Sequence, residues 1–264
     1  LVGSEMCIRD RAYNTHYLGF NANMLANEMF LDSASLRSSV VSHAKSLGYE
    51  VSSPRAPVAV VNVSLGTTAS TKTMSAGTVF TSVIEGTTYQ FVTVADVTAS
   101  NTGTSVPFDS VNIYEGSYIT TRYTVDTSDV DQRFLLNDAR SDTTTLTVKV
   151  QNSSSDTTTT TYTRATDITQ QSASSTVYYL QETDSGLFEI YFGDGVVSKG
   201  LSDGNIVILQ YVVSNKTLAN GASEFSSPSS IDGVTDVTVT TVNSASGGSE
   251  AETIQSIKLN APLD

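Results

Sequence analysis

FEIYFGDGVVSKGLSDGNIVILQYVV, residues 188–213, decides the fold. Two apolar runs flank a loop in which Gly193, Gly195, Gly200 and Gly204 alternate with Asp194 and Asp203. IVILQYVV, 206–213, is apolar on both faces, as in a central strand covered on both sides. The loop between could cradle a phosphate, hold a cation or turn the chain. A calcium loop needs oxygen ligands at alternating positions and a closing glutamate. Val196, Val197 and Leu201 stand where such ligands would be wanted. A phosphate loop needs a helix after it, and a strand follows here. The stretch therefore reads as a chain reversal, its glycines at positive φ and its aspartates shaping or solubilising the loop.

Working outward, the period-two pattern persists. VAVVNVSL (58–65), TVFTSVI (78–84), YQFVTVADV (89–97), TLTVKV (145–150) and DVTVTTV (236–242) read as strands. Ser110 to Val125 continues the pattern, with Val111, Ile113, Ile119, Tyr123 and Val125 inward. Residues 177–182 and 187–192 form a hairpin about Thr183–Gly186. Ser and Thr make up 19 of the 34 residues in 143–176. That bias allows a disordered linker, but threonine suits strands, and a hairpin is the preferred reading.

The two ends read as helix. Tyr13, Tyr17, Phe20 and Met24 recur at helical spacing, beside a second stripe of Leu18, Leu25 and Met29. Two stripes imply packing on more than one side. Asp32 is the expected N-cap of a second helix, whose stripe is Leu36, Val40, Ala44 and Leu47, and Gly48 the stop. Ser249 and Glu252 match a capping box before Ile254 and Ile257. The expected class is α+β, with an N-terminal helical hairpin, a mainly antiparallel β-rich domain and a further helix near the C-terminus. The expected divisions are 12–54 (hairpin), 55–246 (β-rich, including 143–176) and 247–264 (start of a helical segment). Residues 1–11, LVGSEMCIRDR, reverse-translate as an in-frame transposase-type sequencing adapter. They are set aside as an expected artefact, and Cys7, the sole cysteine, with them.

Fourteen Lys and Arg against 27 Asp and Glu give a net charge of −13, which argues against nucleic-acid or anionic-membrane partners. His16 and His43 lack a metal-ligand spacing such as HExxH, and neither a GxSxG nor a Walker loop is present. Glu182, Asp184 and Glu189 could pair as glycosidase carboxylates, but charge around a turn reads more simply as solubility. No enzyme, cofactor, metal or small-molecule substrate is expected.

Phe192-Gly193-Asp194-Gly195, a loop, Gly200-x-x-x-Gly204-Asn205 and an apolar strand resemble the signature of baseplate-J-like proteins, the wedge subunits of contractile-tailed phages. Residues 13–57 are independently similar to the N-terminal helical region of the large wedge subunit of myovirus baseplates. The Thr-rich stretch matches no family motif, and Leu201 stands where the family often has proline. The resemblance implies a non-enzymatic virion protein of the tail baseplate, assembled in the bacterial host cytoplasm. It implies pairing with itself, as a dimer within a wedge, and with other wedge proteins around the tail hub. Tyr13, Tyr17, Met24, Leu36, Val40 and Leu47 would be assembly positions. The alternative is a secreted or surface β-domain adhesin binding glycans.

Overall fold

The computed structural model describes residues 2–129, 131–165, 171–227 and 229–263. In chain order the elements are α1 (Val2–Glu28), α2 (Arg37–Ser46), β1 (Val58–Leu65), β2 (Thr71–Met74), β3 (Val79–Ile84), β4 (Thr87–Val92), β5 (Val97–Ser100), β6 (Val106–Glu115) and β7 (Ser117–Thr124). There follow β8 (Phe134–Leu135), β9 (Ser141–Gln151), β10 (Thr159–Arg164), β11 (Val177–Glu182), β12 (Phe188–Phe192), β13 (Ile206–Val213), a 3-10 turn (Lys216–Ala219), β14 (Val237–Ser246) and α3 (Ile254–Asn260).

The chain divides into two compact units. One gathers Leu1–Val51, Gln181–Gly186 and Glu252–Asp264; the other holds Ser52–Leu180 and Leu187–Ala251. In the larger unit the strands form a five-stranded sheet, β14-β1-β6-β4-β3, a seven-stranded sheet, β7-β13-β9-β10-β11-β12-β8, and the pair β2-β5. The first large sheet curls into a half-barrel and the second nearly closes. Each encloses its own core. Val61, Leu65, Phe80, Phe91, Phe108 and Ile113 fill one, and Leu136, Val148, Ile190, Leu209 and Tyr211 the other. β13 lies between β7 and β9, and its apolar residues on both faces explain why this strand is interior. The Ser/Thr-rich stretch forms an antiparallel hairpin, β9 with β10, from Thr159↔Gln151 to Tyr162↔Val148. Residues 166–170 of that stretch lie outside the described residues.

The α+β expectation is overturned. The chain is mainly β, with 40% strand against 17% helix, and strands build both large cores. Helical periodicity at the two ends is strong as a pattern but contributes little packing. In the smaller unit Val40, Val41 and Ala44 of α2 meet Ala34, Val51, Ile257 and Ala261 in a small cluster of their own. Among the described residues α1 supplies no side chain to it.

Helix boundaries also move. Asp32 is not a cap: α2 starts after Leu36, which has no side-chain cap. α3 starts after Thr253, whose hydroxyl accepts from the Ser256 N–H at 3.2 Å, not at Ser249. The single strand expected over 89–97 is two, β4 and β5, broken at residues 93–96.

Candidate functional site

The loop after β12 is built by its own side chains. Asp194 Oδ1 accepts from the backbone N–H groups of Val196 (2.9 Å) and Val197 (3.3 Å). Those bonds hold its carboxyl below the usual carboxylate range. The Gly195 N–H reaches the Ser198 carbonyl at 2.9 Å. Asp203 Oδ1 accepts from the Thr127 N–H at 3.1 Å. Asn205 accepts from the Ser202 N–H and donates to the Asn152 carbonyl, both at 2.8 Å. Asp194 and Asn205 Oδ1 satisfy the loop's own backbone N–H groups, while Asp203 and Asn205 Nδ2 tie the loop to Thr127 and Asn152.

The glycines have two separate reasons. Gly195 (φ +86) and Gly204 (φ +76) hold left-handed backbone. Gly193 does not: a Cβ there would collide with the Ser198 side chain and carbonyl, so it permits close approach instead. Gly200 packs against Gly193 and Gly195 backbone. Phe192 enters the core edge-on to Phe134 (5.6 Å) and Tyr162 (5.4 Å).

Two of the three carboxylates near this hairpin are not solubilising, whereas Asp184 is exposed. Glu182 is buried and gripped by Arg37, with Nε–Oε1 2.7 Å and Nη2–Oε2 2.8 Å. Glu189, also buried, accepts from the Tyr191 hydroxyl at 2.9 Å and faces Arg133 at 3.6 Å. Burial, then Glu189, pushes the Tyr191 phenol up to about 12. Sequence reasoning missed both acids as structural groups, because a charge beside a turn does not reveal what later folds over it. No group of three or more His, Cys, Asp or Glu that could hold a metal occurs among the described residues. No described helix is long and apolar enough to cross a membrane.

The helical positions separate into two kinds. Val40 is fully buried in the smaller unit's cluster. Tyr13, Tyr17, Met24, Leu36 and Leu47 are exposed, as are Leu18, Phe20 and Leu25. Tyr13 and Tyr17 stack with ring centroids 6.2 Å apart. From Ile8 to Glu28 no residue of α1 is buried.

These features define a β-rich unit and a smaller helical unit whose first helix holds apolar side chains in solvent. Residues 120–222, which run from β7 through β13 and the loop, match the family described as bacteriophage baseplate wedge protein gp6, third domain. The chain is also 27% identical to baseplate wedge protein gp6 of Enterobacteria phage T4 over 277 aligned positions. That alignment covers 94% of this chain and 40% of the relative, so the chain spans well under half of the relative's length.

Proposed function

We propose that the chain is a structural component of a phage contractile-tail baseplate wedge, without enzymatic activity. It pairs with itself, as a dimer within a wedge, and with neighbouring wedge proteins to build the ring around the tail hub. Its place is the virion tail baseplate, with assembly in the bacterial host cytoplasm. The matches to gp6 proteins support this reading, and the FGDG turn supports a baseplate-J-like relationship within it.

The observation that carries the proposal is α1. Outside the set-aside residues it runs from Ala12 to Glu28, a rod about 25 Å long at 1.5 Å per residue. Tyr13, Tyr17, Leu18, Phe20 and Leu25 stand in solvent around it. A lone helix of this length is marginal in water, and apolar side chains on several faces gain nothing there. Packed into a bundle with helices of other subunits, they would be buried, and ring closure would add the separate contacts together.

The test is co-expression with other wedge proteins. Tyr17→Asp with Leu18→Asp should abolish co-purification and leave the β-rich unit's circular dichroism and melting unchanged. Undiminished co-purification would sink the assembly role of α1.

A further inference from the structure

The two large sheets have four edges, and three are blunted. β3 is closed in its middle by Thr81 and Ser226, which exchange backbone bonds of 3.4 and 2.8 Å. β8 is two residues long. β7 carries Arg122, and its end is tied by Gln132 Nε2 to the Thr124 carbonyl at 2.8 Å. Short edges, charges and covering segments are the ordinary defences against strand addition. β14 has ten residues, VTVTTVNSAS, with no charge and no proline.

Half of β14 is nevertheless covered. Ala245 exchanges bonds with Gly221 (2.7 Å) and Ala222 (2.8 Å). The other half pairs residue for residue with β1, from Leu65↔Val237 to Val61↔Thr241, and irregularities begin only beyond it. The Gly66 N–H donates to the Asp236 carbonyl at 2.9 Å, so Asp236 turns its backbone toward β1. In an antiparallel ladder this facing alternates. Thr238 and Thr240 also face β1, and Val237, Val239 and Thr241 direct N–H and C=O outward. Among the described residues these outward N–H and C=O groups meet no backbone partner, although the Thr241 hydroxyl donates to the Ser223 carbonyl at 2.6 Å, where the covering segment ends.

We propose that Val237–Thr241 is a strand-addition edge that pairs antiparallel with the same segment of a second copy of this chain. Charge argues for a copy. The chain carries −13, yet no ionisable side chain lies in Val237–Ser246, so this edge meets itself without acid facing acid. Register argues for it too. About a two-fold through Val239, Val239 faces its equivalent, Val237 faces Thr241 and Thr238 faces Thr240. Exposed threonines then meet on the outer face, and the half-buried valines stay on the core face. Five paired residues fall well short of the roughly 1,200 Å² of a stable interface, so the contact acts where other contacts already hold copies together. It involves neither α1 nor the wedge reading.

Cross-linking tests the register. With Cys7→Ser in the full chain, Thr238→Cys and Thr240→Cys would face each other across a non-hydrogen-bonded pair. The Cα separation there is about 4.5 Å, within disulfide range. At about 1 mM, a typical effective concentration for tethered sites, an equal mixture of the two variants should form disulfide several-fold faster than either alone. Val239→Pro removes an outward N–H that the fold does not use, and should reduce that rate to background with the melting temperature retained. Equal rates in all mixtures, or indifference to Val239→Pro, would overturn the proposal. If Val239→Pro does not fold, the exposed pair Thr238→Lys with Thr240→Lys gives a second reading. Sedimentation should show weaker self-association than in the parent chain, and unchanged association overturns the proposal.

Discussion

His43 Nε2 lies 2.9 Å from the carbonyl oxygen of Glu28, the last residue of α1. A carbonyl only accepts, so this ring nitrogen carries the proton. The Glu28 carboxylate meanwhile accepts from Ser35 Oγ (2.7 Å) and the Ser35 N–H (2.8 Å), and from the Leu36 N–H at 3.3 Å. One residue thus has its carbonyl satisfied by α2 and in turn satisfies the N–H groups of Ser35 and Leu36, on the approach to α2. The corner between the two helices is fixed at both of its polar ends.

Acid should loosen that corner. The Ser35 hydroxyl, then the Ser35 N–H, pulls the Glu28 carboxyl from 4.5 down to about 2. A carboxyl depressed in the folded state stabilises above its ordinary value and loses that contribution as pH falls through the folded one. The window is therefore about 4.5 to 2. Amide exchange at Ser35 and Leu36, compared with reference peptides, should lose protection across it. Glu28→Gln should show several-fold faster exchange at neutral pH and a flat response in acid. Protection unchanged in Glu28→Gln would show that the cap does not fix the corner.

Arg37 and Glu182 make a stability prediction of opposite character. Glu182 has a 2% exposed side chain, and its bidentate partner is 32% exposed. Removing the cation strands a buried carboxylate, which costs more than the pair itself contributes. Arg37→Met should lower stability by about 3 kcal/mol in chemical denaturation. Arg37→Met combined with Glu182→Gln should recover much of the loss. Equal losses in single and double variants would mean that Glu182 is not stranded.

Which features could be read from the residues alone follows from how local their causes are. Strand periodicity in 58–65 and 206–213 is a matter of neighbours two apart, and it places β1 and β13 correctly. What holds the approach to α2 is not local: Glu28 lies seven residues before Ser35, and Asp32, the nearer acid, does not serve. Burial of Glu182 depends on Arg37, 145 residues away. Val40 and Leu36 belong to one helical stripe by spacing, yet one is fully buried and the other about half exposed. Spacing defines a face but does not say what covers it. The class was misread for the same reason, since α1 buries no residue from Ile8 to Glu28 and still shows its period.

That difference separates two variants. Val40→Asp should unfold the small helical cluster, because it buries a carboxylate without a partner, at a cost of about 4 kcal/mol or more. Leu36→Asp should shift stability by less than about 1 kcal/mol, as exposed substitutions do. Melting followed at 222 nm in each variant reads the comparison, and equal destabilisation would contradict the burial.

The loop glycines divide likewise. Gly193→Ala should destabilise by about 2 kcal/mol, since its Cβ has to displace Ser198. Gly195→Ala meets open space and faces only the left-handed backbone, a cost of about 1 kcal/mol. Gly195→Asn, which tolerates that region, should be milder than Gly195→Ala, and Gly193→Asn harsher than Gly193→Ala. Denaturant midpoints for the four variants check the order, and a reversed order would mean that the two glycines have been assigned the wrong roles.

Glu115 closes β6 with its side chain fully out of solvent, and both of its oxygens accept from Asn215, from N–H and from Nδ2 at 2.7 Å each. Burial raises its carboxyl above 4.5, and the Asn215 bonds oppose that rise. For an acid raised in the folded state the sign is the reverse of Glu28. The charged form is the disfavoured one, its cost stands above the folded value, and it fades as pH falls through that value toward 4.5. Glu115→Ala empties a fully buried site and takes the acceptor from two Asn215 donors, and should cost about 3 kcal/mol. Glu115→Gln keeps one acceptor and turns an NH2 on the other donor, a loss of about 1 to 2 kcal/mol at neutral pH. Because only the parent carries the ionisable group, it should gain on Glu115→Gln as pH falls from neutrality toward 4.5. Parallel pH profiles for the two proteins would mean that burial does not raise the Glu115 carboxyl.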